Sequence, residues 1–233
     1  MLFRSRKVEM TQGTRRFQKE YMNNPITEGA VFKNNWIRWK DALPLGKYDH
    51  LICYCDPSFK STTANDYKAI KLWGRTGTDL HHLRAFVRQG TVGEMVRWFY
   101  DLHESLPPGV TIEYWMELVF MQDLILDEFT REGNARGYQL PIRGDTRKKP
   151  DKFQRIEAVS PLWERGFVFY AADQQRDPDM LAGIEQTLAI EPGSRMPDDA
   201  PDADEGAIWL LQRRIRQDNF GPPIIGTRTR TTR

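Results

Sequence analysis

Only two cysteines and four histidines occur among the 233 residues, and their scarcity removes several kinds of chemistry. Cys53 and Cys55 stand two apart in an apolar run that reads as a strand. An extended backbone keeps such a pair from closing on itself, and two thiols without a matching histidine pair build no zinc framework. They read as reduced packing residues of an intracellular protein. No apolar run approaches a membrane span, and the start, Met1-Leu2-Phe3-Arg4, lacks the apolar stretch of a secretion signal. A Gly-x-Ser-x-Gly nucleophile elbow is also missing. His81 and His82 are adjacent in a predicted strand, so at most one can face a site, and a packing or surface role suits both. Charge imbalance is small too: 34 Lys and Arg against 32 Asp and Glu leave +2. Attraction to a polyanion must then come from local clusters.

What the chain does have is acid at the ends of its predicted elements. The apolar run His50 to Cys55 reads as a central strand and ends in Asp56-Pro57-Ser58. Alternating runs at Tyr67 to Trp73 and Leu80 to Val87 complete an antiparallel meander. Thr91 caps a helix that stops at Pro107-Pro108-Gly109, and Val110 to Met116 returns as a strand with Glu117 at its end. A helix over Met121 to Phe129, a strand over Tyr138 to Ile142 and a helix over Asp151 to Arg165, stopped by Gly166, follow. Phe167 to Tyr170 reads as the last short strand, Met180 to Ala189 as a helix, and Asp199 to Gln217 as a terminal helix. The order βββαβαβα with a terminal helix predicts a ribonuclease-H-like α/β fold, a mixed sheet flanked by helices. Residues 1–48 read as an extended arm, 49–219 as the domain, and 220–233 as a mobile basic tail.

Three acidic groups, Asp56, Glu117 and the Asp198-Asp199-Asp202 cluster, come from three separate elements. Hard carboxylate oxygens converged by rigid elements are what Mg²⁺ or Mn²⁺ requires. Glu113 and Glu117 share a strand face by period two, and Glu117 lies at the end that Asp56 shares. Each acid also has an ordinary explanation: an Asx turn at Asp56, or interaction with the helix dipole for the third cluster. Three acids within five residues exceed what capping needs. Two ions held roughly 3.5–4 Å apart would activate water and stabilise a leaving 3′ oxygen with no protein nucleophile. Arg143, Arg147, Lys148, Lys149, Lys152 and Arg155 cluster after the fifth strand, an excess suited to a phosphate backbone or to a solvated face. A second basic group, from Arg213 to Arg233, follows the third acidic cluster.

These residues resemble the C-terminal nuclease domain of the large terminase subunit of tailed bacteriophages. The resemblance runs through Phe17-Gln-Lys-Glu-Tyr-Met-Asn-Asn-Pro25, Glu28-Gly29, Phe32, Asp56-Pro-Ser-Phe59 and Asp66-Tyr67. It continues with Glu117, Gln122-Asp123, Lys152 to Gly166, Phe167-Val-Phe169, and Asp198-Asp-Ala-Pro-Asp-Ala203 with Gly206-Ala207. The family implies a metal-dependent endonuclease that cuts concatemeric viral double-stranded DNA during packaging, in the host cell cytoplasm. By that resemblance Asp56, Glu117, Asp199 and Asp202 are metal ligands. Partners implied are the ATPase motor, the small terminase subunit and the portal or procapsid. Val119 departs from the pattern, since Asn often stands two residues after the second acid in such proteins. No Gly-x-x-x-x-Gly-Lys-Ser/Thr loop is present, so the chain reads as an excised domain or a separately encoded nuclease. Alternatives of the same fold are a packaging clamp that does not cut, and a nuclease of the junction-resolvase or transposase type.

Overall fold

Among the described residues, seven strands form one mixed sheet in the order β1-β7-β4-β3-β2-β5-β6, with two α-helices on one face and three on the other. The computed structural model describes residues 31–57, 67–117, 123–193 and 196–218. The expected tail at 220–233, the loop from Ser61 to Asp66 and residues 1–30 of the arm lie outside the described residues.

The strands are β1 (Trp39–Lys40), β2 (His50–Asp56), β3 (Tyr67–Thr76), β4 (Asp79–Gln89), β5 (Glu113–Glu117), β6 (Ile142–Asp145) and β7 (Val168–Ala171). The antiparallel β2-β3-β4 meander forms as its alternation predicts, and β5 and β6 then add in parallel beside β2. Because successive side chains alternate faces, β2 divides cleanly. Leu51, Cys53 and Cys55 face α1 (Val92–Glu104) and α2 (Asp123–Arg136), packing on Met95, Phe99 and Phe129. Ile52, Tyr54 and Asp56 face α3 (Lys152–Glu164), α4 (Pro178–Leu188) and α5 (Asp199–Asp218).

Local signals set most boundaries. Thr91 and Glu94 close a capping box at α1, Asp151 caps α3 through the Gln154 amide, and Gly166 (φ 79°) ends α3. Two expectations shift. The strand anticipated at Tyr138 to Ile142 begins only at Ile142, because the amides of Gly137 and Tyr138 both bond the Gly133 carbonyl as α2 closes. Helix α2 itself runs past Phe129 to Arg136, its polar last turns carrying Arg131–Glu128 and Arg136–Glu132 pairs. Strand β1 was not expected. It lies parallel to β7, while Phe32 packs edge-on against Trp163 at 5.1 Å. Both adjacent histidines are buried: His81 Nδ1 lies 3.0 Å from the Tyr48 hydroxyl, and His82 stacks on Trp73.

Helix α5 positions the site, and its sequence explains its close seating. Ala200, Ala203 and Ala207 are buried against the sheet, and a Cβ at Gly206 would sit 2.4 Å from Tyr54 Cζ. Only glycine lets the helix cross Tyr54 at this distance. A second tie is polar: Asp204 accepts from Trp73 Nε1 at 3.0 Å and from the fully buried Lys71 ammonium at 3.4 Å. Burial pushes the Lys71 pKa down and that of Asp204 up, so each charge depends on the other. Asp204→Ala should therefore lower stability by about 3–5 kcal/mol in urea denaturation, with Lys71→Met/Asp204→Leu recovering part of the loss. A single-variant loss under about 1 kcal/mol would show that the pair does not anchor the helix.

Candidate metal centre

Strands β2, β5 and β6 run parallel and in register, so three neighbouring strands end in acid: Asp56, Glu117 and Asp145. Glu117 lies opposite Asp145 in the β5–β6 pairing, and the Cys55–Met116 pairing sets Asp56 beside Glu117 one residue further on. The N-terminus of α5 brings Asp199 and Asp202 over this edge. Carboxylate oxygens of Asp56, Glu117 and Asp202 all lie within 4.8 Å of one another. Asp56 and Asp202 are buried and Glu117 half-buried. Asp199 is also buried, close enough to raise the Asp56 pKa by its charge. Asp198 stands at the rim, where it accepts from Lys152 at 2.7 Å. Glu113 lies toward the other end of β5, held by Arg143 and Arg214.

The electrostatics separate Asp56 from Asp202. Burial, and next the charge of Asp202, push the Asp56 carboxyl well above the usual carboxylate range. Burial would raise Asp202 as well, but hydrogen bonds from Arg155 and the charge of Lys152 bring it below its ordinary value. Lys152, which burial would drive down, is held up by Asp202 and Asp56. Its ammonium lies 3.3 Å from Asp202 and 4.0 Å from Asp56, while Lys149 Nζ lies 3.0 Å from Glu117.

The six basic residues that the sequence groups together therefore divide. Arg143 and Lys148 are exposed, though Arg143 also pairs with Glu113 at 2.8 Å. Lys149 and Lys152 line the acidic cluster. Arg147 and Arg155 are turned inward, onto Asp145 and Glu205 and onto Asp202 and Glu205 respectively. Asp145 and Glu205 were not anticipated from the sequence. Glu205 follows Asp202 by one helical turn, a spacing that could have disclosed it. Asp145 was hidden because its strand was expected to end at Ile142.

Three hard carboxylates converging from three rigid elements fit a divalent cation of the Mg²⁺ or Mn²⁺ kind. Crowded like charges in a buried site cost stability until a cation or proton intervenes. Asp56→Asn should thus raise the melting temperature of metal-free protein. Mn²⁺ at about a hundredfold excess over its Kd should raise that of the wild type by roughly 5–10 °C and leave the variant nearly unmoved. Differential scanning fluorimetry with and without chelator measures both shifts, and equal Mn²⁺ responses would remove Asp56 from the ligand set.

No protein-family model matches the sequence, and no curated protein matches it. Solved structures do match in fold. The large terminase of a thermophilic bacteriophage superposes with a TM-score of 0.59 at 13% identity, over 89% of this chain and 51% of that one. The chain thus spans about half the length of that phage protein. The human cytomegalovirus terminase nuclease domain gives 0.56 at 15% identity, over 79% of this chain and 98% of that one. A Mn-soaked, inhibitor-bound form of the cytomegalovirus domain gives 0.53 at 13% identity, over 77% of this chain and 94% of that one. The chain has the fold of the terminase nuclease domains, a ribonuclease-H-like mixed sheet flanked by helices.

Proposed function

We propose that this chain is a divalent-metal-dependent endonuclease that cuts double-stranded DNA during viral genome packaging. The observation that carries the reading is the convergence of Asp56, Glu117 and Asp202 at one sheet edge, in a fold shared with terminase nuclease domains. Asp56, Glu117 and Asp202 hold Mg²⁺ or Mn²⁺, and Asp199 completes the acidic set for a second ion. When bound, the ion pair supplies an activated water and charge stabilisation for the leaving 3′ oxygen. Lys149 and Lys152 sit beside these carboxylates, where their ammonium groups orient the scissile phosphate. The remaining basic residues after β5 supply positive potential to the approaching backbone, with Arg143 and Lys148 at the outer surface and Arg147 and Arg155 behind. Concatemeric viral DNA is the substrate. A terminase ATPase motor, a small terminase subunit and the portal or procapsid are the partners, in the host cell cytoplasm.

Supercoiled plasmid incubated with the full chain and Mn²⁺ or Mg²⁺ should yield nicked and linear products, and chelator should abolish them. Folded protein that binds duplex DNA but never cuts it would instead favour a packaging clamp. Preference for branched substrates or specific ends would favour a resolvase or transposase.

Replacing Lys148, Lys149 and Lys152 with alanine should weaken binding equally to unrelated duplexes and reduce the log–log salt slope by roughly 0.9 per lost contact. Mn²⁺ binding should persist. Fluorescence anisotropy over a salt series tests this, and an unchanged slope would mean that DNA enters elsewhere.

A further inference from the structure

Beneath the three converging carboxylates lies a second layer of charge, built from Asp145 at the end of β6 and from Arg147, Arg155 and Glu205. Tyr54 donates its hydroxyl to Asp145 Oδ2 at 2.7 Å, and the same oxygen accepts from Arg147 Nε at 2.8 Å. Arg147 then forks onto Glu205, its two Nη atoms each 2.8 Å from one carboxylate oxygen. Glu205 Oε2 also accepts from Arg155 Nη1 at 2.8 Å. Arg155 in turn grips both oxygens of Asp202, one through Nη1 and the other through Nη2 at 2.8 Å. The chain of contacts runs unbroken from the core of β2, through the end of β6, to the acid at the start of α5.

The geometry points to Arg155 as a positioning residue that fixes the carboxylate plane of Asp202 for the metal, with Glu205, Arg147 and Asp145 holding Arg155 in turn. This rests on the metal-centre reading above. Three observations carry it. A planar guanidinium meeting a carboxylate through two parallel bonds fixes orientation as well as distance, which a lysine cannot do. The Arg155 side chain is only 9% exposed and that of Glu205 4%, so the pair faces the protein and not an approaching phosphate. Finally, each guanidinium serves two carboxylates, so either arginine turns outward only by giving up its bonds to two buried acids at once. Partners that orient a metal ligand in this way typically govern metal affinity by about 10–100-fold.

The full chain, free of DNA, is titrated with Mn²⁺ by calorimetry as wild type, Arg155→Lys, Glu205→Gln and Asp204→Asn. Glu205→Gln keeps the side-chain shape, so it decides the matter if Arg155→Lys fails to fold. Asp204→Asn loosens the same helix one residue away but lies outside the ladder. The expected result is about 10–100-fold weaker Mn²⁺ binding in Arg155→Lys and Glu205→Gln, with a clearly smaller loss in Asp204→Asn. DNA affinity in chelator, and its salt slope, should match wild type in Glu205→Gln and Arg155→Lys. The assignment is overturned if the ladder variants bind Mn²⁺ normally. It is also overturned if Asp204→Asn loses as much affinity, which would make the effect general loosening. An Arg155→Ala variant whose salt slope drops by roughly 0.9 while Mn²⁺ affinity stays intact would make Arg155 a phosphate contact instead. Should wild type itself fail to bind Mn²⁺, the metal reading falls, and this inference with it.

Discussion

Helix α5 carries its acids to the end of β2 because nothing larger than a methyl group stands between helix and sheet along Ala200, Ala203, Gly206 and Ala207. A helix over a sheet ordinarily stands off by the depth of two side-chain layers. Here Tyr54 occupies the space that a side chain at position 206 would need, and its hydroxyl reaches across to Asp145. The apolar contact sets the separation, while the Lys71–Asp204–Trp73 contacts tie the helix to β3. A helix set farther out would leave Asp202 beyond the reach of Asp56 and Glu117, and no cation could bridge them.

Close seating has an electrostatic cost, and the distribution of cations offsets it. Among the described residues, five acids besides Asp204 are buried at the sheet edge and in α5, namely Asp56, Asp145, Asp199, Asp202 and Glu205. Unpaired, such a group would not stay ionised. Arg147 and Arg155 neutralise the inner acids with well-formed bidentate bonds, and Lys149 and Lys152 stand over the outer ones. Asp56 has the raised pKa that follows from its burial and from Asp202. A hard cation would be drawn to where its oxygen meets those of Glu117 and Asp202. Arginine behind and lysine in front suits the two tasks, since a guanidinium holds fixed geometry and an ammonium can exchange one oxygen partner for another.

Parallel register supplies the remaining constraint. In β2, β5 and β6 the pairing brings the three terminal acids to one edge, and period two turns Asp56 toward α5. A slip of one residue would turn Asp56 toward the α1–α2 face, into the layer that holds Cys55 and Met95. The match of buried patterns on both faces of β2 resists that slip, so the apolar core fixes the site geometry as well as the fold.

By itself the sequence determined the succession of elements, because the information needed was local. Alternation marked β3 and β4, Thr91 and Asp151 marked helix starts, and Gly166 marked a stop. It also marked Asp56, Glu117 and the acids at the head of α5, since strand ends and helix starts can be read from patterns of a few residues. Neither β1 nor the true start of β6 was legible. A two-residue strand exists only through its partner β7, and the backbone before Ile142 is engaged by the closing turn of α2. The roles of the basic residues were likewise open. Six arginines and lysines close in sequence look alike until packing turns Arg147 and Arg155 toward acids 47 to 58 residues distant and leaves Lys148 in water. Which acids share one cluster, and which cations each of them faces, depends on helix-to-sheet distance and strand register. Those are properties of the assembled layers, and only the tertiary structure decided them.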